Sequence, residues 1–248
     1  MVFKELCSGV SMRECARKLR IHRTTVERKK RFLASISRLW LKSFLQTKKV
    51  EQMQFDDMET FEHTKLKPLS ITLAVEKKTR LILGFKVSKM PAKGLLVRKA
   101  IKKYGRRPDH RKKARRELFE ILRSCIHPNA EIESDKNPHY EPEVRAYFPK
   151  ANYITYKGRR GCVVGQGELK GGGFAPLFSL NHTAAMLRAN INRLFRRTWC
   201  TTKKISGLED HISLYVKSHN LRILEKLKGE IFPQQSGPVF RSYILESG

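Results

Sequence analysis

The chain has 248 residues, of which 52 are Lys or Arg and 23 are Asp or Glu, giving a formal net charge of +29. A surplus that large condenses onto polyanions, so nucleic acid is the first partner to consider, an anionic membrane surface the second, and an ordinary metabolic enzyme is disfavoured. Hydrophobic residues make up 40% of the chain, which excludes compositional disorder and predicts a buried core.

Residues 3–33 read as three short helices, with Ser11 as a cap for the second and Thr24 or Thr25 for the third. Two helices that cross through a tight turn need a small residue at the approach and apolar residues at the turn and inner face. Ala16, Ile21 and Val26 occupy those places. Arg20 stands where glycine is frequent, so it must accept a left-handed conformation. The expected unit is a helix-turn-helix whose second helix enters the major groove and exposes Arg23, Thr24, Glu27, Arg28 and Lys30. An ordinary basic helical hairpin is the plainer alternative. The stretch from Arg31 to Lys49 continues at helical spacing as a connecting helix.

From Val50 the pattern changes. Residues 50–57 alternate as a strand that ends in Asp56 and Asp57, and 69–76 and 79–88 follow as two more strands around a Lys77-Lys78 hairpin. A helix over 111–126, a strand over 130–135, a helix over 138–148, a strand over 152–156, a long helix over 180–199 and a last helix over 206–228 complete the series. The order βββαβαβα with a right-handed crossover puts the end of the first strand beside the end of the fourth. Asp56 or Asp57 then neighbours Asp135, and two adjacent carboxylates require a proton or a cation between them, magnesium being the natural one.

A strand ending in Asp56-Asp57, a strand ending in Ser134-Asp135, and a helix carrying Asn181 and Arg188 together resemble the transposases of bacterial insertion sequences with a ribonuclease-H-like core. The closest resemblance is to the relatives of insertion sequence one, in which a helix-turn-helix precedes that core. It extends over roughly residues 1–220. The resemblance implies a mixed α/β fold: a helix-turn-helix region over 1–49 and a ribonuclease-H-like domain with a mixed five-stranded sheet flanked by helices over 50–228. The tail over 229–248, with two prolines and three serines, is expected to be poorly ordered. The resemblance also implies a catalytic and metal-binding set of Asp56, Asp135 and Asn181. Asn181 departs from the usual Glu; Glu168 and Glu209 are the other candidates for the third position. Two Mg2+ ions, or Mn2+ in their place, would serve cleavage of transposon ends and strand transfer into target DNA by a homo-oligomer. The rival is a catalytically inactive, transposase-derived DNA-binding protein.

Between Arg98 and Arg116, eleven of nineteen residues are Lys or Arg, and Arg106, Arg107, Arg111 and Lys112 are expected to track the DNA backbone. Arg188 and Arg196 are expected to hold phosphate near the acids. Seven glycines between Gly158 and Gly173 suggest a loop near the DNA, without the Gly-Lys-Ser/Thr of a P-loop. Tyr104, Tyr140, Tyr153 and Tyr156 are assigned to packing or backbone contacts. The five cysteines lack metal or redox spacing and read as free buried thiols. No apolar run approaches the roughly 18 residues of a membrane span, and a cytoplasmic, nucleoid-associated location in a bacterium is expected.

Overall fold

Strand β1 (Val50–Phe61) is the centre of the molecule, and everything that positions the acidic residues is built on it. It pairs antiparallel with β2 (Pro68–Glu76), which pairs antiparallel with β3 (Ile82–Lys89). On its other side it pairs parallel with β4 (Ile126–Asp135), and β4 pairs parallel with β5 (Asn152–Tyr156). The result is a mixed five-stranded sheet in the order β3-β2-β1-β4-β5. The computed structural model describes residues 1–157, 175–195 and 201–231. The glycine-rich stretch, with Arg159, Arg160, Cys162 and Glu168, lies outside these residues, as do Arg196, Arg197, Cys200 and the tail from residue 232.

Helices cover both faces of the sheet. One face packs against α1 (Val2–Leu6), α2 (Met12–Leu19), α3 (Arg23–Gln46), α7 (Phe178–Asn190) and α8 (Ile205–Ile231). The other packs against α5 (Arg111–Leu122) and α6 (Glu141–Tyr147), and α4 (Leu96–Tyr104) lies over the connection after β3 with Ala100 turned in. Val2, Leu6, Cys15, Ala16, Val26 and Ala34 belong to the same apolar cluster as Leu69, Ile71 and Leu73 of β2. The N-terminal helices therefore share the core of the sheet, and residue 49 does not separate two cores.

The turn between α2 and α3 follows the expected chemistry. Ser11 accepts from the Glu14 amide at 3.1 Å, and Arg20 adopts φ 52, ψ 41. The cap of α3 differs from the expectation of Thr24 or Thr25: His22 takes it, with Nδ1 facing the Thr24 amide at 3.4 Å. The third helix and the connecting helix are one uninterrupted helix.

Other boundaries move, three of them with consequences for the site. β1 runs past Asp56 and Asp57 because its pairing with β2 continues to Phe61↔Pro68, so the acids lie mid-strand. The helix expected over 111–126 ends at Leu122, and β4 begins at Ile126. A bulge in β4 between Ile126 and Glu131 accommodates Pro128, which has no N–H for a ladder. The long helix expected over 180–199 stops at Asn190. Ile191 turns extended, the Gly9 amide donates to Asn190 O at 2.7 Å, and Asn192 Nδ2 donates to Gly9 O at 3.2 Å. Gly9 makes this clasp at φ 76, in the left-handed region that glycine adopts without strain. The apolar spacing of three and four continues through the break, since Leu180, Leu187, Ile191 and Leu194 are all buried.

Cys7, Cys15 and Cys125 are free and buried, and burial pushes the thiols of Cys7 and Cys125 up to about 12 and about 11, which keeps them protonated. Cys125 donates to Leu122 O at 3.2 Å while His127 is exposed, so the two do not form a ligand pair. No described helix is long and apolar enough to cross a membrane.

One core group gives the fold a pH dependence. His211 of α8 is buried, with Nε2 at 2.6 Å from Leu6 O, and burial pushes its pKa from 6.5 down to about 3. The unfolded chain takes up this proton below about 6.5 and the folded protein does not. Stability is therefore expected to rise with pH between about 3 and 6.5, by up to about 1.4 kcal/mol per pH unit from this group. Urea unfolding across that range should show a shallower slope for His211→Gln; equal slopes would remove His211 as the cause.

Candidate active site

The side chains of a strand alternate between faces, so Gln54, Asp56 and Met58 share one face of β1 while Phe55 and Asp57 share the other. On β4, Glu131, Glu133 and Asp135 form the matching row. The parallel register pairs Gln54 with Glu133. Two residues further on, Asp56 and Asp135 stand side by side where β4 ends, and their charges interact. The structure thus brings the two expected aspartates together, by strand register.

The Asp56 carboxylate accepts from the Asp57 amide at 2.6 Å and from the Tyr140 hydroxyl at 3.0 Å, both on Oδ1. Burial, together with the Asp135 charge, pushes its pKa up to about 6. Burial also raises Asp135, and the Asp57 charge adds to the rise. Asp135 Oδ1 is buried with no hydrogen-bond partner among the described residues. An orphaned carboxylate oxygen next to a second, desolvated carboxylate suits a hard divalent cation. Among the described residues no three His, Cys, Asp or Glu side chains converge on a metal-binding geometry. A cation held by Asp56 and Asp135 would complete its shell with an amide, water or phosphate oxygens.

Asp57 has a different role from its neighbour. Arg115 Nη1 reaches Asp57 Oδ2 at 2.9 Å and Thr72 Oγ1 donates to Oδ1, while Arg115 Nε holds Glu143 Oε2 at 2.6 Å. The guanidinium also lies over the Tyr140 ring, 4.8 Å from its centroid. Asp57 is thereby paired within the core, and Asp56 is the acid left to bind. Tyr140 departs from its expected packing role, because its hydroxyl bonds the candidate site directly. Tyr153 and Tyr156 also bond through their hydroxyls, to Ser134 Oγ at 2.6 Å and to Glu133 Oε1 at 3.0 Å.

Asn181 lies in the first turn of α7, exposed, and its side chain makes no hydrogen bond to either aspartate among the described residues. The start of α7 is nonetheless fastened beside the pair: the Leu180 amide donates to Gln54 Oε1 at 3.0 Å. Arg188, seven residues along the helix, lines a groove of about 350 Å3 with Met58, Glu59, Met90, Leu194 and Phe195. Glu209, the other described candidate for the third position, sits near Lys86 of β3 and Arg38 of α3, at the opposite edge of the sheet from β4.

The basic residues divide by burial. Arg23, Thr24 and Arg28 are exposed at the start of α3, and Arg106 and Lys112 are exposed beyond β3. Lys30 corrects the expectation of a groove-facing side chain: it is 2% exposed, with Nζ at 3.4 Å from Gly207 O and 3.8 Å from Asp210 Oδ2. Burial and the nearby Arg193 charge lower its pKa to about 8. Arg107 pairs with Glu62 at 3.2 Å and Arg111 with Asp109 at 2.5 Å, so neither is a bare cation. Arg115 is a core residue within the basic run. Arg196 lies outside the described residues.

The residues missed from sequence are Gln54, Glu133, Tyr140 and Arg115. The available signal was periodicity: Gln54 and Glu133 precede the aspartates by two on the same strand faces, and Arg115 falls in the buried stripe of Leu118, Phe119 and Leu122. The chain matches no known family model, and a search of curated proteins finds no significant match.

Proposed function

We propose that the protein is a DNA transposase with a ribonuclease-H-like catalytic core, cutting and joining DNA at Asp56 and Asp135. The observation that carries the reading is the approach of these two carboxylates, two residues beyond the Gln54–Glu133 register pair, one of them with a buried oxygen that has no hydrogen-bond partner among the described residues. The strand order, with two antiparallel hairpin strands on one side of β1 and two parallel strands on the other, supports the same core. The charge of +29 supports DNA as the partner.

Asp56 and Asp135 would hold the divalent cations, Mg2+ or Mn2+, with Asn181 as the candidate third ligand; when bound, the metals polarise the phosphoryl oxygens and the attacking hydroxyl for in-line displacement. The protein's own residues do the remaining work. Tyr140 and the Asp57 amide hold the Asp56 carboxylate by Oδ1. Arg115 offsets part of the Asp57 charge, which stands as a third anion beside the pair. Arg188, which lines the groove with Met58 and Glu59, would meet phosphate, and the exposed cations of α3 and of the 98–116 run would hold the duplex. The carboxylates bind and do not attack, so no covalent protein-DNA intermediate forms.

The test is Mg2+- or Mn2+-dependent nicking of supercoiled plasmid and joining of a labelled pre-cut end to it. Activity in the wild type that Asp135→Asn abolishes is the expected result, and activity that survives in Asp135→Asn would sink the reading. A second reading, an inactive DNA-binding descendant of such an enzyme, draws on Asn181 in place of an acid and on the lack of a third converging acid among the described residues. Wild-type binding to DNA without cutting in either metal would favour it.

The DNA surface has its own test. Arg23→Ala and Arg28→Ala are each expected to weaken duplex binding and to lower the slope of log affinity against log salt by about one. Lys30→Met, buried against α8, should leave that slope unchanged. Anisotropy titrations of a labelled duplex at several salt concentrations decide it, and a slope change for Lys30→Met equal to that for Arg28→Ala would count against the assignment.

A further inference from the structure

Helix α7 begins without a cap of its own. Leu177, at the N-cap position, contributes no side-chain hydrogen bond, and a helix start with free amides is normally satisfied by a polar side chain one to three residues upstream. Here the acceptor comes from another element. Gln54 of β1, 1% exposed, accepts the Leu180 amide on Oε1 at 3.0 Å, and its Nε2 donates to Pro176 O at 2.9 Å and to Glu133 Oε2 at 2.6 Å. Every polar atom of this buried amide is engaged, and two of its three partners lie on the segment that opens α7.

The tether continues beyond Gln54. Glu133, equally buried, also accepts from Lys77 Nζ at 2.6 Å and from the Tyr156 hydroxyl at 3.0 Å. Lys77 Nζ reaches Glu131 at 2.9 Å, and Lys77 O accepts the Ser179 hydroxyl at 2.6 Å. One connected polar layer thus joins β5, β4, β1, the β2–β3 turn and the first turn of α7. It lies two residues before Asp56 on β1 and two before Asp135 on β4, on the same faces. Asn181 is next in sequence to Leu180 and donates its own amide to Leu177 O at 2.9 Å, so it moves with that turn.

We propose that Gln54 is a positioning residue: it caps α7 from β1 and so fixes Asn181 and the polar edge of α7 relative to Asp56 and Asp135. This rests on the reading of the two aspartates as metal ligands. A purely structural network would be satisfied by an apolar pair of similar volume, since buried polar groups contribute little net stability even when fully paired. What an apolar pair cannot supply is the directional bond that sets how far along β1 the helix begins. A misplacement of about 1 Å at a catalytic group can cost roughly a hundredfold in rate.

The test has an arm on the unmodified protein and an arm on variants. In wild-type hydrogen exchange, the Leu180 amide should be protected at least about a hundredfold more than that of Ser179; equal rates would overturn the cap. Gln54→Met, which keeps the volume and removes the bonds, is expected to lower kcat for Mg2+-dependent nicking by roughly ten- to a hundredfold with KM for DNA unchanged, and to raise the metal concentration for half-maximal rate. The double variant Gln54→Met/Asn181→Ala should be no slower than Asn181→Ala alone, because both changes remove one placement. Wild-type rate and metal dependence in Gln54→Met, or additive losses in the double variant, would overturn the proposal while leaving the transposase reading intact. A wild type that cuts no DNA in either metal removes that reading, and the role of Gln54 with it. If Gln54→Met does not fold, Gln54→Asn, which withdraws the amide by one methylene, serves the same comparison.

Discussion

Replacing Asp56 by Asn is expected to abolish metal-dependent DNA cutting and, in the absence of metal, to make the protein more stable. Both effects come from the same desolvated charge. With the pKa of Asp56 pushed from 3.8 up to about 6 by burial and by Asp135, the folded protein holds this proton more tightly than the unfolded chain. Asp56 therefore contributes a loss of stability as pH rises from about 4 to about 6, opposite in sign to the contribution of His211, and above that range it carries a cost of about 3 kcal/mol. Asn removes the charge while its Oδ1 can still accept from the Asp57 amide and from Tyr140. At pH 7.5 the metal-free variant should melt on the order of 5 °C above the wild type. Mg2+ or Mn2+ should raise the wild-type Tm and leave that of the variant unchanged. Nicking should fall by at least about a hundredfold. A variant that melts lower than the wild type without metal would show that Asp56 is a structural acid, and retained cutting would remove it from the site.

The second large effect is expected at Arg115, a buried residue that makes no hydrogen bond to Asp56 or Asp135. Its guanidinium bridges Asp57 and Glu143, both nearly buried, and Arg115 itself is 4% exposed. Arg115→Met leaves Asp57 without an ion-pair partner among the described residues and Glu143 with only the longer contact to Arg116 Nε at 3.8 Å, a change that costs about 3–5 kcal/mol in comparable buried pairs. Arg115→Lys should recover little, because a single ammonium nitrogen cannot occupy both the Nη1 position that meets Asp57 and the Nε position that meets Glu143. Adding Asp57→Asn and Glu143→Gln to Arg115→Met should restore much of the loss. Urea unfolding of the series measures it, and a loss below about 1 kcal/mol for Arg115→Met would mean that the network is not held as described.

These two residues mark how far the sequence could be read. The order of the strands and the bounds of β5 were legible because apolar periodicity and turn residues agree there, whereas helix α4 (Leu96–Tyr104) was not expected, its lysines and arginine reading as a charge run. The approach of Asp56 to Asp135 was legible because a right-handed crossover leaves little choice of strand neighbour. The length of β1 was not, since pairing with β2 rather than local composition carries it to Phe61. The burial of Lys30 and Arg115 was hidden by their charge, although Val26, Lys30, Ala34 and Ser37 recur at four, four and three. Charged side chains were read as surface, and in a chain this basic some of them neutralise buried acids. Gln54 was missed for another reason: its partners lie 79 and more than 120 residues away, and nothing local distinguishes it from an ordinary strand glutamine.

Helix α3 spans 24 residues without interruption, a rod of about 36 Å. Val26, Lys30 and Ser37 are buried along it and Leu45 seats its far end in the second core cluster, so it is clamped at both ends. A duplex held by Arg23 and Arg28 would therefore be indexed mechanically to the sheet, with no hinge to absorb torque. Because each residue of a helix advances the surface by about 100°, one residue inserted after Ser37 would set the buried stripe before it out of phase with the seat of Leu45. One of the two clamps would then have to give, and the angle between Arg23 and Asp56 would no longer be fixed although every contact residue is still present.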